Sequence, residues 1–152
     1  MTDLLQVSVE RVVRASPQQV FAVLADPRRH REIDGSGTLR DTVDGPPRLF
    51  RGARFGMRMQ LGGSYAMTST VVEFEEGRRI AWQPRPTSRL AALAIGGRIW
   101  RYELEPVDSG TRVRETWDIR KERFPLPLLA ARSATRRAMT RTLERLEQRL
   151  AA

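Results

Sequence analysis

Glu115 is the residue whose position most invites chemistry. In Val113-Arg114-Glu115-Thr116-Trp117-Asp118-Ile119, strand alternation groups it with Val113, Trp117 and Ile119, not with the polar set. A carboxylate on an apolar face is costly unless it is paired or hydrogen-bonded. Arg132 poses the same question on a helix. At about 100° per residue it falls on the stripe of Met139, Leu143 and Leu150. Together they predict polar groups in an otherwise greasy cavity, bonded to each other or to a ligand carbonyl or carboxylate. The bland alternative is a bulge that turns Glu115 outward and an Arg132 that snorkels from the first helical turn. With Tyr102, these two are the candidates for proton transfer or enolate stabilisation.

Other catalytic constellations are missing. There is no cysteine, which excludes disulfides, thiolate nucleophiles and Cys-ligated metals. The single histidine, His30, excludes a histidine pair and has no evident carboxylate or serine partner, so a surface or rim position is expected. Gly35-Ser36-Gly37 and Gly96-Gly97 lack the setting of a phosphate loop and read as turns. No metal and no cofactor is implied.

The candidate binding wall is apolar. Met57 and Met59 alternate with polar residues on the face of Phe55 and Leu61; Trp82 shares a face with Ile80, and Trp100 and Tyr102 with Leu104. With Trp117 and Met139, and with Glu115 and Arg132 as polar members, they form a set suited to a flat or lipid-like molecule, unless they simply fill the core.

These residues need elements to position them. Residues 6–14 read as a strand, and Ser16-Pro17 as an N-cap with proline at the first helical position. Val20, Phe21 and Leu24 follow at helical spacing until Asp26-Pro27, and Arg28 to Ile33 adds one more turn. From Leu39 to Arg120 the signal is β: Leu39–Val43, Phe55–Leu61, Tyr65–Glu75, Arg79–Gln83, Arg98–Glu105 and Arg112–Arg120. After Phe124-Pro125-Leu126-Pro127 the period becomes 3.6, with Leu128, Thr135, Met139, Leu143, Leu146 and Leu150 on one face. The reading is one α+β domain over 1–152: a curved antiparallel sheet of about seven strands, two short helices after the first strand, and a long C-terminal helix across the concave face. One helix cannot fill such a face along its whole length, so a cavity is expected.

With 152 residues, 40% hydrophobic, the chain can bury a full core. Its formal net charge of +9 raises nucleic acid and anionic membranes as partners. Against that, all the cations but Lys121 are arginines, spread along the chain and interleaved with acids, which reads as solvated surface. No run could cross a membrane and the start lacks a signal pattern, so a cytoplasmic location is expected.

Ala15-Ser16-Pro17-Gln18-Gln19-Val20-Phe21 with Leu24 and Asp26-Pro27, then Arg79-Ile80-Ala81-Trp82, Trp100 to Pro106 and Gly110-Thr111-Arg112-Val113, resemble the SRPBCC superfamily over about residues 5 to 151. The resemblance implies the helix-grip fold of START lipid-transfer domains and of polyketide cyclase/dehydrase-like proteins, without a particular reaction. The expected function is binding of a small hydrophobic, lipid- or polyketide-like molecule between sheet and C-terminal helix. Whether a reaction is catalysed stays open. The alternatives are a polyketide cyclase or aromatase-like enzyme and a protein-interaction module of toxin–antitoxin or chaperone-cofactor type. Leu90–Ile95, an apolar stretch between two strands, is expected to be a lid, a short packed helix, or a contact for a homodimer or protein partner.

Overall fold

The computed structural model describes residues 2–60 and 62–151. Seven strands form one curled antiparallel sheet: β1 (Gln6–Val13), β2 (Leu39–Asp44), β3 (Arg54–Gln60), β4 (Ser64–Glu75), β5 (Arg79–Pro86), β6 (Ile99–Val107) and β7 (Gly110–Asp118). Their order is β1-β7-β6-β5-β4-β3-β2, so β2 to β7 run as a meander and β1 closes onto the last strand. The helices are α1 (Pro17–Leu24), α2 (His30–Ile33), α3 (Arg89–Ala92) and α4 (Arg132–Ala151). This is the expected α+β helix grip. Leu61, expected on the Phe55 face, lies outside the described residues.

Local chemistry sets the element ends. The Ser16 hydroxyl accepts from Gln19 N (3.1 Å) and the Gln19 side chain accepts from Ser16 N (2.9 Å), a reciprocal cap that starts α1. The helix predicted from Leu128 begins instead as a 3-10 turn, Leu126–Ala131. Pro125 and Pro127 sit at its start, where a missing N–H costs nothing, and regular α-helix runs from Arg132. Strand β5 runs beyond the expected Gln83 through Pro84 and Pro86. Both prolines are tolerated because β5 pairs with β6 only over Arg79–Trp82, so the far half of β5 faces no strand on that side.

The main core lies under α1, where Val20, Phe21 and Leu24 pack with Val13, Ile80, Leu104 and Val113. At the other end Met139 of α4 meets Val7, Trp117 and Ile119. The convex face carries much of the arginine. Arg101 bridges Glu73 (2.6 Å) and Asp118 (3.3 Å), Arg120 bonds Asp118 (2.8 Å), and Arg79 bonds Glu103 (2.8 Å).

One backbone contact locks α4 over the sheet. Gly35 N donates to Thr142 Oγ1 (2.9 Å), the Gly35 carbonyl accepts from Arg141 Nε (2.9 Å), and Arg145 donates to the Asp34 carbonyl. A Cβ on Gly35 would fall 2.2 Å from the Ala138 carbonyl oxygen and 2.6 Å from Thr142 N. Only glycine permits that approach. Gly35→Ala is therefore expected to destabilise the protein by about 2 kcal/mol or more, as overpacking against backbone does. Gly56→Ala, whose added methyl meets nothing nearer than 3.5 Å, is the reference. Denaturant midpoints measure both, and equal midpoints would refute the grip.

Candidate functional site

Between the sheet and α4 lies a cavity of about 470 Å³. Strand alternation supplies its sheet wall with Met57 and Met59 from β3, Met67 from β4, Trp82 from β5, Trp100 and Tyr102 from β6, and Glu115 from β7. Thr135, Ala138, Met139 and Thr142 face it from α4, and His30 and Ile33 from α2. Exposed Tyr65, Ser36, Ala134 and Arg141 mark its rim.

The polar centre is a cross-strand pair. Tyr102 and Glu115 stand directly opposite in the β6–β7 register, and Tyr102 Oη donates to Glu115 Oε2 at 2.9 Å. Glu115 is 3% exposed, and its Oε1 has no hydrogen-bond partner. Burial pushes the carboxyl pKa up to about 8; the Tyr102 hydrogen bond opposes the rise and the charge of Asp34 adds to it. The group is therefore mainly a neutral carboxylic acid at pH 7. With Oε2 accepting from tyrosine, Oε1 is left to carry the proton as a donor. Burial, then the Glu115 charge, holds the Tyr102 phenol well above its ordinary value, so it too stays neutral.

His30 is not on the surface or at a rim, as expected from sequence; it is 6% exposed. Its ring stacks on Trp82 (centroids 4.6 Å apart, 20° between planes) and meets Phe55 edge-on at 5.5 Å. Nε2 bonds the Leu24 carbonyl at 2.8 Å, and burial lowers the pKa. A neutral ring that donates from Nε2 keeps Nδ1 as an acceptor.

The cavity gathers Met57, Met59, Trp82, Trp100, Tyr102, Glu115 and Met139. Trp117 and Arg132 are not among its lining residues. Trp117 is buried beneath it in the Val7–Ile119–Met139 cluster, 6.4 Å centroid to centroid from Trp100. The expected Glu115–Arg132 pair does not form. Arg132 donates to the carbonyls of Leu4 and Gln6, because α4 begins beyond the edge strand and aims its first turn there. Sequence reasoning placed His30 at the surface or rim and passed over Met67 and the α2 loop at Asp34. The usable signals were the His30–Ile33 spacing of one helical turn and the placement of Met67 two residues from Tyr65 and Ser69.

Three charged groups at the rim are already engaged. Arg98 bonds the buried Glu122 at 2.9 Å, Asp34 accepts from Ser36 N (3.1 Å) and Leu39 N (3.0 Å), and Arg141 holds Gly35. Among the described residues no group of His, Asp and Glu side chains could hold a metal ion. An arginine-lined depression at Arg28, Arg31, Arg145 and Arg149 lies outside, between the α2 region and α4, with Arg149 3.9 Å from Glu32.

The family described as "Polyketide cyclase / dehydrase and lipid transport" matches residues 5–151. The chain belongs to this family. It is thereby a member of the SRPBCC superfamily. The chain is 39% identical over 108 residues to the uncharacterized protein Rv0088 of Mycobacterium tuberculosis, an overlap of 70% of this chain and 44% of that protein. It therefore spans about half the length of the curated relatives it matches. Among solved structures, Ms6760 of Mycobacterium smegmatis superposes with a TM-score of 0.74 at 16% identity, covering 99% of this chain and 94% of that one. A protein of Arthrobacter aurescens gives 0.75 at 15%, covering 99% and 88%. At such identities the likeness speaks for the fold alone. No described helix is long and apolar enough to cross a membrane.

A raised carboxyl pKa has a thermodynamic signature. Between pH 4.5 and about 8 the folded protein holds a proton on Glu115 that the unfolded chain has released, so stability falls as pH rises through that window. The slope from this one group is at most about 1.4 kcal/mol per pH unit. The lowered pKa of His30 works the other way below 6.5, so the difference between wild type and Glu115→Gln isolates the carboxyl. Urea unfolding from pH 5 to 8.5 should show the wild type losing stability relative to the variant. A constant difference would mean that Glu115 is ionised throughout.

Proposed function

We propose that this protein binds a small, largely hydrophobic, uncharged molecule in the cavity, with a carbonyl oxygen accepting a hydrogen bond from Glu115. The observation that carries the reading is the orphaned Oε1 of a neutral, buried Glu115 among methionine and aromatic side chains. An unsatisfied buried polar atom is expensive, and a ligand acceptor removes the expense. The lining supports the rest: thioether and indole surfaces adapt to flat or flexible apolar shapes, and the buried titratable groups His30, Tyr102 and Glu115 are neutral at pH 7. Among the described residues the cations that line the cavity, Arg98 and Arg141, are already bonded to Glu122 and to the Gly35 carbonyl, so an anionic headgroup would have to compete for them. Family membership supports the same class, lipid- or polyketide-like.

A catalytic version of this reading rests on the same pair. A carboxylic acid titrating near 8 beside a phenol is placed to donate hydrogen bonds to a developing enolate, as a polyketide cyclase requires. Native mass spectrometry of the purified protein, followed by solvent extraction, tests binding directly: a discrete hydrophobic adduct is expected. Its recovery unchanged after incubation favours a carrier, and its conversion favours an enzyme.

The hydrogen bond has its own test, with quenching of tryptophan fluorescence as the readout. A long-chain methyl ketone should bind roughly 10-fold tighter than the alkane of equal length, the worth of one hydrogen bond to a buried group. Glu115→Leu should erase that preference, and Glu115→Gln, which keeps an N–H donor, should retain part of it. For the wild type the preference should fade as pH rises through about 8, where the donor proton is lost. Equal affinity for ketone and alkane would refute the assignment.

A further inference from the structure

Two loops at one end of the molecule are fastened together and both present large apolar side chains to solvent. The β5–β6 loop holds α3, where Leu90 and the C-cap residue Leu93 are 79% and 62% exposed. The β7–α4 loop exposes Phe124 and Leu126 at 55% and 65%. Glu122 ties one loop to the other. This buried carboxylate accepts from Gly96 N (3.3 Å), Arg98 N (3.1 Å) and Arg98 Nε (2.9 Å), while a Cβ on Gly97 would lie only 2.0 Å from the Lys121 carbonyl. The exposed leucines thus stand on a braced platform. Nothing in either loop folds back over them.

The charge around them has one sign. Residues 85–98 contain arginines and no acid, and residues 119–132 contain one acid, Glu122, which is buried and paired. Arg85, Arg89, Lys121 and Arg123 remain as exposed cations, with the Arg123 guanidinium 5.6 Å from the Phe124 ring centre. Elsewhere arginines bond acids, as Arg11 does Glu147 and Arg48 does Glu76. Part of the cavity rim lies at this end. Pro84, Arg98 and Ala134 of its lining belong to the strand ends and helix start from which these loops spring, and Thr87 N bonds the Ala66 carbonyl beside Tyr65 at the start of β4.

We propose that this end docks on an anionic lipid bilayer, with Leu90, Leu93, Phe124 and Leu126 entering the headgroup–acyl boundary and the surrounding cations meeting lipid phosphates. The chemistry fits a bilayer better than a protein: the leucines and phenylalanine protrude from the surface, and unopposed cations complement a continuous negative surface. As the source and acceptor of the cavity's ligand, such a surface rests on the hydrophobic-ligand reading. It spares an apolar molecule transfer through water.

Sedimentation with sucrose-loaded vesicles tests the surface without any ligand. The protein should sediment with phosphatidylcholine vesicles that contain phosphatidylglycerol, far less with phosphatidylcholine alone, and less as salt rises. The double variants Leu90→Asp/Leu93→Asp and Arg89→Glu/Arg123→Glu should each weaken partitioning about 10-fold or more. Both should keep the wild-type affinity for the methyl ketone in solution, which shows that they are folded. Failure to sediment with the anionic vesicles, or unchanged partitioning of both variants, overturns the proposal. So does a dimer by analytical ultracentrifugation that Leu90→Asp/Leu93→Asp abolishes, since a second copy then covers the platform. Vesicle binding by a protein that binds no ketone would sink the ligand reading and leave the docking surface standing.

Discussion

A seven-stranded sheet that curls has more concave surface than its helices can cover, and the rest of the molecule follows from that mismatch. The apolar side chains of α1 fill one end with Phe21 and Leu24, and Met139 of α4 closes the other against Trp117. The gap between them stays open because α4 is held at a fixed height. Its backbone rests on Gly35, so that α4 and the α2 loop cannot drift apart, and the wider side chains of Met139 and Thr142 face inward instead of collapsing onto the strands. A close backbone contact at one edge thus keeps the space beside it.

Burial among apolar side chains decides the electrostatics of the polar groups that line this space. Glu115 and Tyr102 are neighbours by strand register, and both are pushed toward their neutral forms by the same burial. His30 is neutral for the same reason and is oriented by the Leu24 carbonyl. The charged side chains meanwhile work on the outside. Arg101, Arg120 and Arg79 knit the convex face to Glu73, Asp118 and Glu103. The cavity interior and the convex face are opposite solutions to one arginine-rich sequence.

What the sequence made legible was whatever a local period encodes. Alternation of two placed Glu115, Tyr102, Trp82, Met57 and Met59 on the concave face, and each does face the cavity. A proline after a serine marked α1, and the structure supplies the cap. Periodicity cannot tell where along a face the core ends and the cavity begins. Trp117 and Trp100 share the concave side, yet Trp117 lies under Met139 and Trp100 borders the open volume. Nor does an angle on a helical wheel say what stands opposite: Arg132 has the right azimuth, but its axial position puts it beside Leu4 and Gln6 at the sheet edge, not beside Glu115. His30 was out of reach because its environment, Trp82 stacked above and Phe55 edge-on, comes from strands distant in sequence.

The same distinction explains why family membership and site chemistry carry different information. The residues on which the sequence resemblance rests, among them the Ser16 cap, Pro17, Phe21 and the Gly110 turn, start the first helix, fill the core and close the sheet. Gly110 shows the reason: its φ is +147° and a Cβ there would lie 2.1 Å from the Val13 carbonyl, so the β6–β7 hairpin can approach β1 only with glycine at that position. Such residues define a container, and many cargoes are compatible with one container. What narrows the cargo is the short list of polar atoms left over once the container is built. Here, apart from the hydroxyl of Ser69 on β4, the described residues leave one buried side-chain oxygen unpartnered, Oε1 of Glu115, on a group whose proton is retained at neutral pH. On the proposed reading, specificity turns less on the wall of methionines and tryptophans, which accepts many shapes, than on where along an apolar ligand a single acceptor oxygen sits.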